Sequence, residues 1–408
     1  MSCRGCGKSD LATFINLGSM PISNLLPQDS ESEVHKQIFD LHPKVCEFCS
    51  LVQLDHKISA KSLFPSDYVY VSSYSTSWLR HSERFANEII DELSITKSDL
   101  VVEIASNDGY LLQYFLRKQI KVFGVEPSSG VASIAIDKGI PTQVSFFGLK
   151  VAKKMKDSGL SPKLLIANNV LAHVPDINDF LSGFEALMSS QSVATFEFPL
   201  LKNLIKEVQF DTIYHEHCSY LSLTALIPIF KQNGLLIFKV KEIDTHGGSA
   251  RIYVCKSEAL RTIDSSVEDV LEEEYKYDPR NIQVLEEFRE KVLKIREDLL
   301  GQIGEIKMKS LKIAAYGAAA KGNTLLNFCG ITSNDISYVV DMNTSKQSKF
   351  LPGSKIPIKD YGYLLENSPD VLLVLPWNII EEIRTQLQKS NLGHIKLLKA
   401  IPEVGYLN

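Results

Sequence analysis

The sequence predicts an α/β protein in three parts: a small four-cysteine zinc module, a central doubly wound α/β domain, and a second, C-terminal Rossmann-like α/β unit. Two C-x2-C pairs near the N-terminus indicate the first part. Two later stretches each run from an apolar strand through a small-residue loop into a helix, and then into a strand that ends in an acid. We predict boundaries at residues 1–72, 73–258 and 259–408, because a chain of 408 residues is too long for one core.

The bulk composition is that of an ordinary globular protein, with 44% hydrophobic residues, 23% charged residues and a net charge of -5. The mild acidity argues against a large surface for nucleic acid. No apolar run reaches transmembrane length and the N-terminus lacks a signal-peptide core, so we expect a cytoplasmic protein without membrane contact. Because that compartment is reducing, we interpret the seven cysteines as metal ligands in preference to disulfide partners.

The N-terminal cysteines have the spacing of a structural zinc site. Cys3 and Cys6 form one pair, and Cys46 and Cys49 form the other. Each pair turns tightly enough for both thiolates to point at one ion, so together they complete a tetrahedral Zn²⁺ site with no open position. We expect strands between the pairs, at 12–17 and 37–41. Two unrelated pairs are the alternative.

The stretch from residue 64 to 78, which contains Tyr68, is rich in tyrosine and hydroxyl side chains. It is interpreted as an ordered functional loop, with an edge strand as the alternative. Residues 78–93 then have the periodicity of an amphipathic helix.

The central domain begins with a predicted strand at 100–104, a small polar turn at 105–109 and a helix at 110–118. The next strand ends at Glu126, an acid placed for ribose hydroxyl groups. The stretch has no G-x-G-x-x-G sequence, which argues against a dinucleotide. Later strands are predicted at 163–170 and 192–199. His173 follows the first of them, either as a site residue or as a hydrogen-bonded histidine in the wall.

One stretch concentrates groups that hold or move protons: Tyr214, His215, Glu216 and His217. Largely apolar runs flank it on both sides. Apolar surroundings shift the pKa values of titratable groups, so this stretch is a candidate for catalysis. A polar loop with scattered histidines and a metal site are the alternatives.

The rest of the chain offers candidate ligands for an anion. A glycine pair follows His246 and allows close approach of the backbone, and Arg251 can meet a phosphate; a hairpin turn is the alternative. Residues 257–308 are charge-rich and are predicted to be a solvated helical connector. Beyond them, Lys321 lies near a predicted helix N-terminus that suits a phosphate, unless this unit is degenerate and binds no cofactor.

The order of these motifs resembles a known family. Glu-Ile-Ala-Ser-Asn-Asp-Gly resembles motif I of the class I methyltransferases that bind S-adenosylmethionine, although Ala105 stands where many members have glycine. With the cysteine pairs, Tyr-His-Glu-His and the later glycine motifs, nearly the whole chain resembles the nucleotide-sugar C-methyltransferases, which are sugar 3-C-methyltransferases. The resemblance implies a zinc module, a central class I methyltransferase Rossmann-like domain and a C-terminal Rossmann-like domain.

The resemblance also implies a substrate and a reaction. The expected substrate is a nucleotide-linked 4-keto sugar, bound between the outer domains of a monomeric enzyme of branched-sugar biosynthesis. The C4 ketone acidifies the hydrogen on C3, a base removes it to give an enol or enolate, and C3 then takes the methyl group. S-adenosylmethionine is the expected methyl donor, and the expected Zn²⁺ is structural.

The family motifs imply roles for individual residues of this sequence. His217 matches the candidate base, and Glu216 a carboxylate that holds the substrate or orients a proton carrier. Tyr214 and Tyr68 match phenols that can donate to the C4 oxygen, and His173 a further active-site histidine. The implied cofactor-binding residues are Glu103, Ser106, Asn107, Asp108, Gly109, Glu126, Pro127 and Asn169. Those named for the sugar nucleotide are His246, Arg251 and Lys321.

Two other functions stay open at this point. A zinc-ribbon methyltransferase that acts on RNA or protein would use the same first two parts, but the acidic net charge argues against it. An NAD(P)-linked epimerase or reductase of nucleotide sugars would use the C-terminal unit, but the glycine fingerprint is missing.

Overall fold

The computed structural model describes residues 2–54, 58 and 71–407. Tyr68 lies outside these residues. Within them, the chain forms three sheets of four, seven and six strands and one two-stranded ribbon. The three larger sheets correspond to the zinc module, the central domain and the C-terminal α/β unit predicted from the sequence.

Short strands around the cysteine pairs form the N-terminal module. They are β1 (Leu11–Thr13), β2 (Ser19–Pro21), β3 (Ile38–Asp40), β4 (Lys44–Cys46) and β5 (Val52–Gln53). β4 pairs antiparallel with β1 and β5, and β2 pairs with β3. The strands expected at 12–17 and 37–41 are shorter than predicted. After β1, Gly18 has φ +80° and donates its N–H to Asn16 Oδ1 at 2.9 Å, which turns the chain instead of extending the strand.

The central domain is a seven-stranded sheet with an apolar core on each face. Its region of the chain contains α1 (Thr76–Glu92), β6 (Leu100–Ile104), α2 (Leu112–Arg117), β7 (Lys121–Glu126), α3 (Ser129–Asp137), β8 (Thr142–Val144), α4 (Leu149–Asp157), β9 (Leu164–Asn168), α5 (Ile177–Leu187), β10 (Val193–Pro199), α6 (Leu201–Lys206), β11 (Ser219–Tyr220), α7 (Leu223–Gln232), β12 (Leu235–Ile243) and β13 (Ser249–Lys256). The sheet order is β8-β7-β6-β9-β10-β13-β12, and β13 runs antiparallel to both of its neighbours.

This topology brings the functional loops to one edge of the sheet. β6, β7, β9 and β10 are parallel, so the turns that follow them lie together at their carboxyl ends. β6 reverses the strand order, since β7 lies on one side of it and β9 on the other. Such a reversal point opens the crevice in which doubly wound proteins bind ligands.

The C-terminal unit is a six-stranded sheet in the order β16-β15-β14-β17-β18-β19, parallel except for β19. Its elements are α8 (Ser266–Tyr275), α9 (Ile282–Met308), β14 (Ile313–Tyr316), α10 (Ala320–Cys329), β15 (Val339–Val340), β16 (Ile358–Lys359), α11 (Tyr361–Glu366), β17 (Val371–Val374), α12 (Ile380–Lys389), β18 (Lys396–Lys399) and β19 (Gly405–Tyr406).

The long helix α9 is more than the solvated connector predicted from its charges. One face of it is buried along a stripe with helical spacing: Leu285, Phe288, Val292, Ile295, Leu299, Ile303 and Ile306. Phe288 packs on Phe14 of the N-terminal module with ring centroids 5.4 Å apart, and the stripe shares one core with β14 and β17. The abundance of charges on the exposed face concealed this stripe in the sequence.

β11 ties the central region to the zinc module. Ser219 pairs antiparallel with Gln53 and Tyr220 with Val52, so β11 is the fourth strand of the N-terminal sheet. The Tyr214–His217 stretch immediately precedes β11 and therefore lies where the parts of the molecule meet. Among the residues described here, no helix is both long and apolar enough to span a bilayer.

Candidate active site

The Tyr214–His217 stretch is held from all three parts of the molecule. Asn24 of the N-terminal module bonds the Glu216 carboxylate, and His173 of the central domain bonds the Glu216 carbonyl at 2.7 Å. Thr324, on α10 of the C-terminal unit, donates its hydroxyl to the Ile213 carbonyl at 2.9 Å. The structure therefore brings together the four candidate residues Tyr214, Glu216, His217 and His173, which the sequence places in two separate motifs.

His217 has a defined proton arrangement. Its Nδ1 lies 2.9 Å from the Thr212 carbonyl oxygen, which only accepts hydrogen bonds, so Nδ1 carries the hydrogen. Its Nε2 then has a lone pair and accepts from the Tyr214 hydroxyl at 2.8 Å. Burial lowers the pKa of His217 well below its usual value, and His173 and His246 lower it further. The imidazole is therefore neutral at pH 7 and offers Nε2 as a base.

His173 stands beside this base. The ring centroids of His173 and His217 are 4.7 Å apart, and burial lowers the pKa of His173 as well. Its Nδ1 donates to the Glu216 carbonyl, which presents the other edge of the ring to the site. Two neutral histidines in contact avoid the repulsion that two imidazolium ions would have.

Glu216 combines one fixed and one open carboxylate oxygen. It is 1% exposed, and its Oε1 accepts from the Asn24 backbone N–H at 3.2 Å and from Asn24 Nδ2 at 2.9 Å. Its Oε2 is buried and has no hydrogen-bond partner within the described residues. Burial raises the pKa of Glu216. A buried oxygen without a partner is suited to a hydroxyl group of a ligand.

A second polar group, which the sequence only partly indicated, lies between the central and C-terminal domains. Trp377 Nε1 donates to Asp211 Oδ2 at 2.8 Å, and Lys321 Nζ lies 4.1 Å from the centroid of the Trp377 ring. Lys321 also donates to the side chain of Asn378. Burial lowers the pKa of Lys321 to about 8, while Asp211 acts in the opposite direction. Burial likewise raises the pKa of Asp211 to about 6.

His246 lies on the turn between the antiparallel strands β12 and β13, so this segment is a hairpin turn, the alternative considered from the sequence. Its ring centroid is 5.2 Å from that of Trp78 on α1. Burial, together with Lys321, lowers the pKa of His246 to about 4. The neighbouring Gly247 has φ +87°, and a Cβ there would lie 2.5 Å from the Trp377 ring, so glycine permits this contact between domains.

Arg251, which was predicted to bind a phosphate, forms an internal ion pair in the structure. Its side chain is 2% exposed, and Nε lies 2.7 Å from Glu197 Oε1. His81 Nε2 lies 2.9 Å from the other oxygen of Glu197, and the Phe85 ring covers the guanidinium. The β10–β13 register places Glu197 directly opposite Arg251. Both charged residues lie within otherwise apolar strands, and this pattern in the sequence could have predicted a buried ion pair.

The predicted cofactor residues lie at the carboxyl ends of β6, β7 and β9, at the reversal point of the sheet: Glu103, Ser106, Asn107, Asp108, Gly109, Glu126, Pro127 and Asn169. The Glu126 carboxylate accepts from the Asn107 N–H at 3.0 Å and the Ser128 N–H at 2.8 Å. Ala105 adopts φ +56°, so an alanine occupies the left-handed conformation that glycine takes more easily.

Part of this turn is already bonded within the chain. Asn107 Oδ1 accepts from the Ser72 N–H at 2.9 Å, and Asp108 Oδ2 from Lys138 Nζ at 2.8 Å. Other buried polar atoms around the crevice have no hydrogen-bond partner within residues 2–54, 58 and 71–407: Ser106 Oγ, Asn168 Oδ1 and Asn169 Nδ2. Donors and acceptors of this kind fit the amino-acid and ribose groups of S-adenosylmethionine.

The four N-terminal cysteines fit a zinc ion. Their sulfur atoms all lie within 4.8 Å of one another, with Cys3 Sγ 3.5 Å from Cys49 Sγ and Cys6 Sγ 3.6 Å from Cys46 Sγ. Zn–S bonds of about 2.3 Å in a tetrahedron require S–S edges of roughly 3.8 Å. The Cys3 carbonyl accepts from the Gly7 N–H, and the Cys46 carbonyl from the Ser50 N–H, so both pairs make the same turn.

Three family models match the chain. They describe a zinc binding domain at residues 3–64, a methyltransferase domain at 78–240 and a C-methyltransferase C-terminal domain at 244–402. The C-methyltransferase NovU of Streptomyces niveus is 32% identical over 381 residues, which cover 93% of this chain and 90% of NovU.

Two solved structures each match about half of the chain. A Pyrococcus horikoshii protein, PH0226, has 12% identity and a TM-score of 0.37 over 48% of this chain and 97% of its own. Magnesium protoporphyrin IX methyltransferase of Synechocystis with bound S-adenosylmethionine has 13% identity and a TM-score of 0.36 over 50% of this chain and 100% of its own.

Proposed function

We propose that the chain methylates C3 of a nucleotide-linked 4-keto sugar. It belongs to the C-methyltransferase family, whose members join a zinc-binding domain, a methyltransferase domain and a C-methyltransferase C-terminal domain. The methyl donor of the family is S-adenosylmethionine. The sugar, the position of methylation and the place in branched-sugar biosynthesis are the proposed parts.

One observation carries the proposal: neutral His217 offers Nε2 at the hydrogen bond with the Tyr214 phenol, where three domains meet. Forming a bond to carbon requires removal of a proton from that carbon, and a neighbouring ketone makes this possible near neutral pH. The negative charge then develops on the ketone oxygen, which needs a hydrogen-bond donor. A neutral imidazole and a phenol in contact supply both requirements.

The residues of the chain act as follows. His217 Nε2 takes the hydrogen of C3 as a proton, the electrons of that bond form the C3–C4 double bond, and the charge moves to the C4 oxygen. Before this step, the Tyr214 hydroxyl turns from Nε2 to the C4 oxygen, which frees the Nε2 lone pair to take the proton and gives the developing charge a hydrogen-bond donor. C3 then forms its new bond to a methyl carbon. When bound, S-adenosylmethionine supplies this methyl group on a sulfonium, whose C–S bond breaks with both electrons staying on sulfur. His217 finally returns its proton to solvent.

Glu216 and Lys321 are assigned to binding. The open Oε2 of Glu216 accepts from a sugar hydroxyl and fixes the ring beside His217. Lys321, at the N-terminal end of α10, carries positive charge toward the interface of the central and C-terminal domains, where a diphosphate can bind. His173, which contacts His217, and His246, which interacts electrostatically with both His217 and Lys321, are also assigned to substrate binding. Tyr68 keeps its proposed role as a second phenol.

The test is mass spectrometry of nucleotide 4-ketosugars incubated with the protein and S-adenosylmethionine in deuterated water. We expect a gain of one methyl group on the carbon next to the ketone. Without the methyl donor, we expect deuterium at the same carbon. If no sugar changes mass while the protein methylates RNA or protein, the sugar proposal is wrong. The NAD(P)-linked alternative is set aside because the family is one of methyltransferases.

A further inference from the structure

We propose that Thr324 of the C-terminal unit is a positioning residue that keeps His217 in its Nδ1–H form, so that Nε2 keeps the lone pair with which it acts as the base. The inference rests on the proposed role of His217 and adds a function for the C-terminal unit in the chemical step. It concerns a turn that touches both His217 and α10.

The first link is within the turn of residues 210–213. The Thr212 N–H bonds the Gln209 carbonyl and the Ile213 N–H bonds the Phe210 carbonyl, both at 3.0 Å. This arrangement aims the Thr212 carbonyl at His217 Nδ1, 2.9 Å away. The carbonyl is a pure acceptor, so its direction decides which nitrogen of the imidazole carries the hydrogen.

The second link comes from the C-terminal unit. Thr324 is fully buried and donates its hydroxyl to the carbonyl of Ile213, the residue after Thr212. Trp377 donates to the carboxylate of Asp211, the residue before Thr212. The peptide that orients His217 is therefore held on both sides by side chains from 111 and 166 residues away along the chain.

The consequence follows from the geometry of a short turn. If the Ile213 carbonyl lost its donor, it would be left buried without this partner, and the adjoining peptides would gain freedom to rotate. Rotation of the Thr212 carbonyl away from His217 removes the acceptor for Nδ1–H. The imidazole can then adopt the Nε2–H form, in which it donates to the Tyr214 oxygen and has no lone pair facing the substrate.

A purely structural role for Thr324 predicts something different. In that case, loss of the hydroxyl would lower the melting temperature, and His217 would keep its tautomer in the folded protein. The substitution Thr324→Val removes the hydroxyl with little change in shape, while Thr324→Ser retains it. The matched control is Thr385→Val, because Thr385 is exposed on α12 and its hydroxyl donates to the Glu381 carbonyl in its own helix.

The experiment uses the full chain with zinc, labelled with ¹⁵N in histidine. Long-range ¹H–¹⁵N correlation spectra report the tautomer, and the His217 signal is the one lost in His217→Asn. We expect the Nδ1–H form in the wild type, Thr324→Ser and Thr385→Val, and a substantial Nε2–H fraction in Thr324→Val. We also expect kcat to fall by about tenfold in Thr324→Val, with the Kd for S-adenosylmethionine unchanged.

If Thr324→Val does not fold, Trp377→Phe tests the other side of the turn and should shift the tautomer in the same direction. An unchanged tautomer in the folded variant would overturn the proposal. Because this spectrum needs no substrate, the positioning role is decided even if the protein methylates something other than a nucleotide sugar.

Discussion

The carboxylate of Glu216 and the amide of Asn24 lie 2.9 Å apart although 192 residues separate them in the chain. This contact makes the N-terminal module part of the candidate active site. Zinc therefore holds in place a module that positions a carboxylate, besides stabilising its own fold. The same contact leaves Glu216 Oε2 without a hydrogen-bond partner among the described residues, and this is the oxygen to which we assign the sugar hydroxyl.

Changes at Asn24 should affect the sugar more than the methyl donor. Asn24→Ala removes the Nδ2 donor and frees the carboxylate to rotate, so we expect KM for the sugar nucleotide to rise by about 5–10-fold. Asn24→Asp places a second carboxyl group against Glu216 and should be more damaging. Steady-state kinetics with both substrates would measure this, and equal increases in both KM values would contradict it.

His217→Asn should abolish the chemistry while leaving binding intact. Asparagine keeps a polar group near Thr212 but removes the base, so we expect kcat to fall by about 10²–10⁴-fold. Tyr214→Phe should have a smaller effect, because it removes only the phenol. The decisive measurement is deuterium exchange at C3 without the methyl donor, which His217→Asn should lose. Exchange at the wild-type rate in this variant would exclude His217 as the base.

The pH profile of kcat/KM should be limited by Lys321 on the alkaline side. The pKa of Lys321 is lowered to about 8, so its positive charge is present below this pH and is lost as the pH rises through it. Because the pKa of His217 is lowered well below 6.5, the imidazole is still neutral, and still able to act as a base, at pH 6.5. Lys321→Arg should move the alkaline limit upward, because arginine keeps its charge. If the alkaline limit were unchanged in Lys321→Arg, Lys321 would not be the group that binds the diphosphate.

Zinc removal should abolish activity as well as destabilise the module. β5 follows the second cysteine pair and pairs with β11, which immediately follows the active-site stretch. We expect about one zinc ion per chain, and we expect Cys46→Ser to lose both the metal and the activity. Cys329→Ser is the control, since Cys329 is buried in the C-terminal unit away from the metal site. Metal analysis beside melting curves would check this, and full activity without metal would contradict it.

Arg251 should matter for stability and little for substrate affinity. Arg251→Met removes the guanidinium and leaves the fully buried Glu197 carboxylate with only its His81 contact, so we expect the free energy of unfolding to fall by about 3–5 kcal/mol. Adding Glu197→Gln should restore part of this loss. Urea unfolding and KM for the sugar nucleotide would be compared. A large rise in KM with unchanged stability in Arg251→Met would instead support the predicted contact between Arg251 and a phosphate.

Local patterns were enough to predict much of this molecule. The two cysteine pairs, the strand from Leu100 to Ile104 and the acid at Glu126 each carry their signal within a few residues. Asn24, Thr324 and Trp377 carried no comparable signal, because their roles depend on contacts more than a hundred residues away. For Arg251, the residue type suggested a bound anion, but the register of β10 and β13 places Glu197 opposite it, and the sequence does not show that register.

The pairing of β11 with β5 has a consequence for how the chain matures on the ribosome. The cysteine pairs are synthesised well before β11, so the sheet around them lacks its fourth strand until residues 219 and 220 are made. Its core stays open longer still, until α9 supplies Phe288 to cover Phe14. The N-terminal module thus depends on segments that are synthesised much later than its own strands, and the candidate active site also depends on Thr324 of the C-terminal unit.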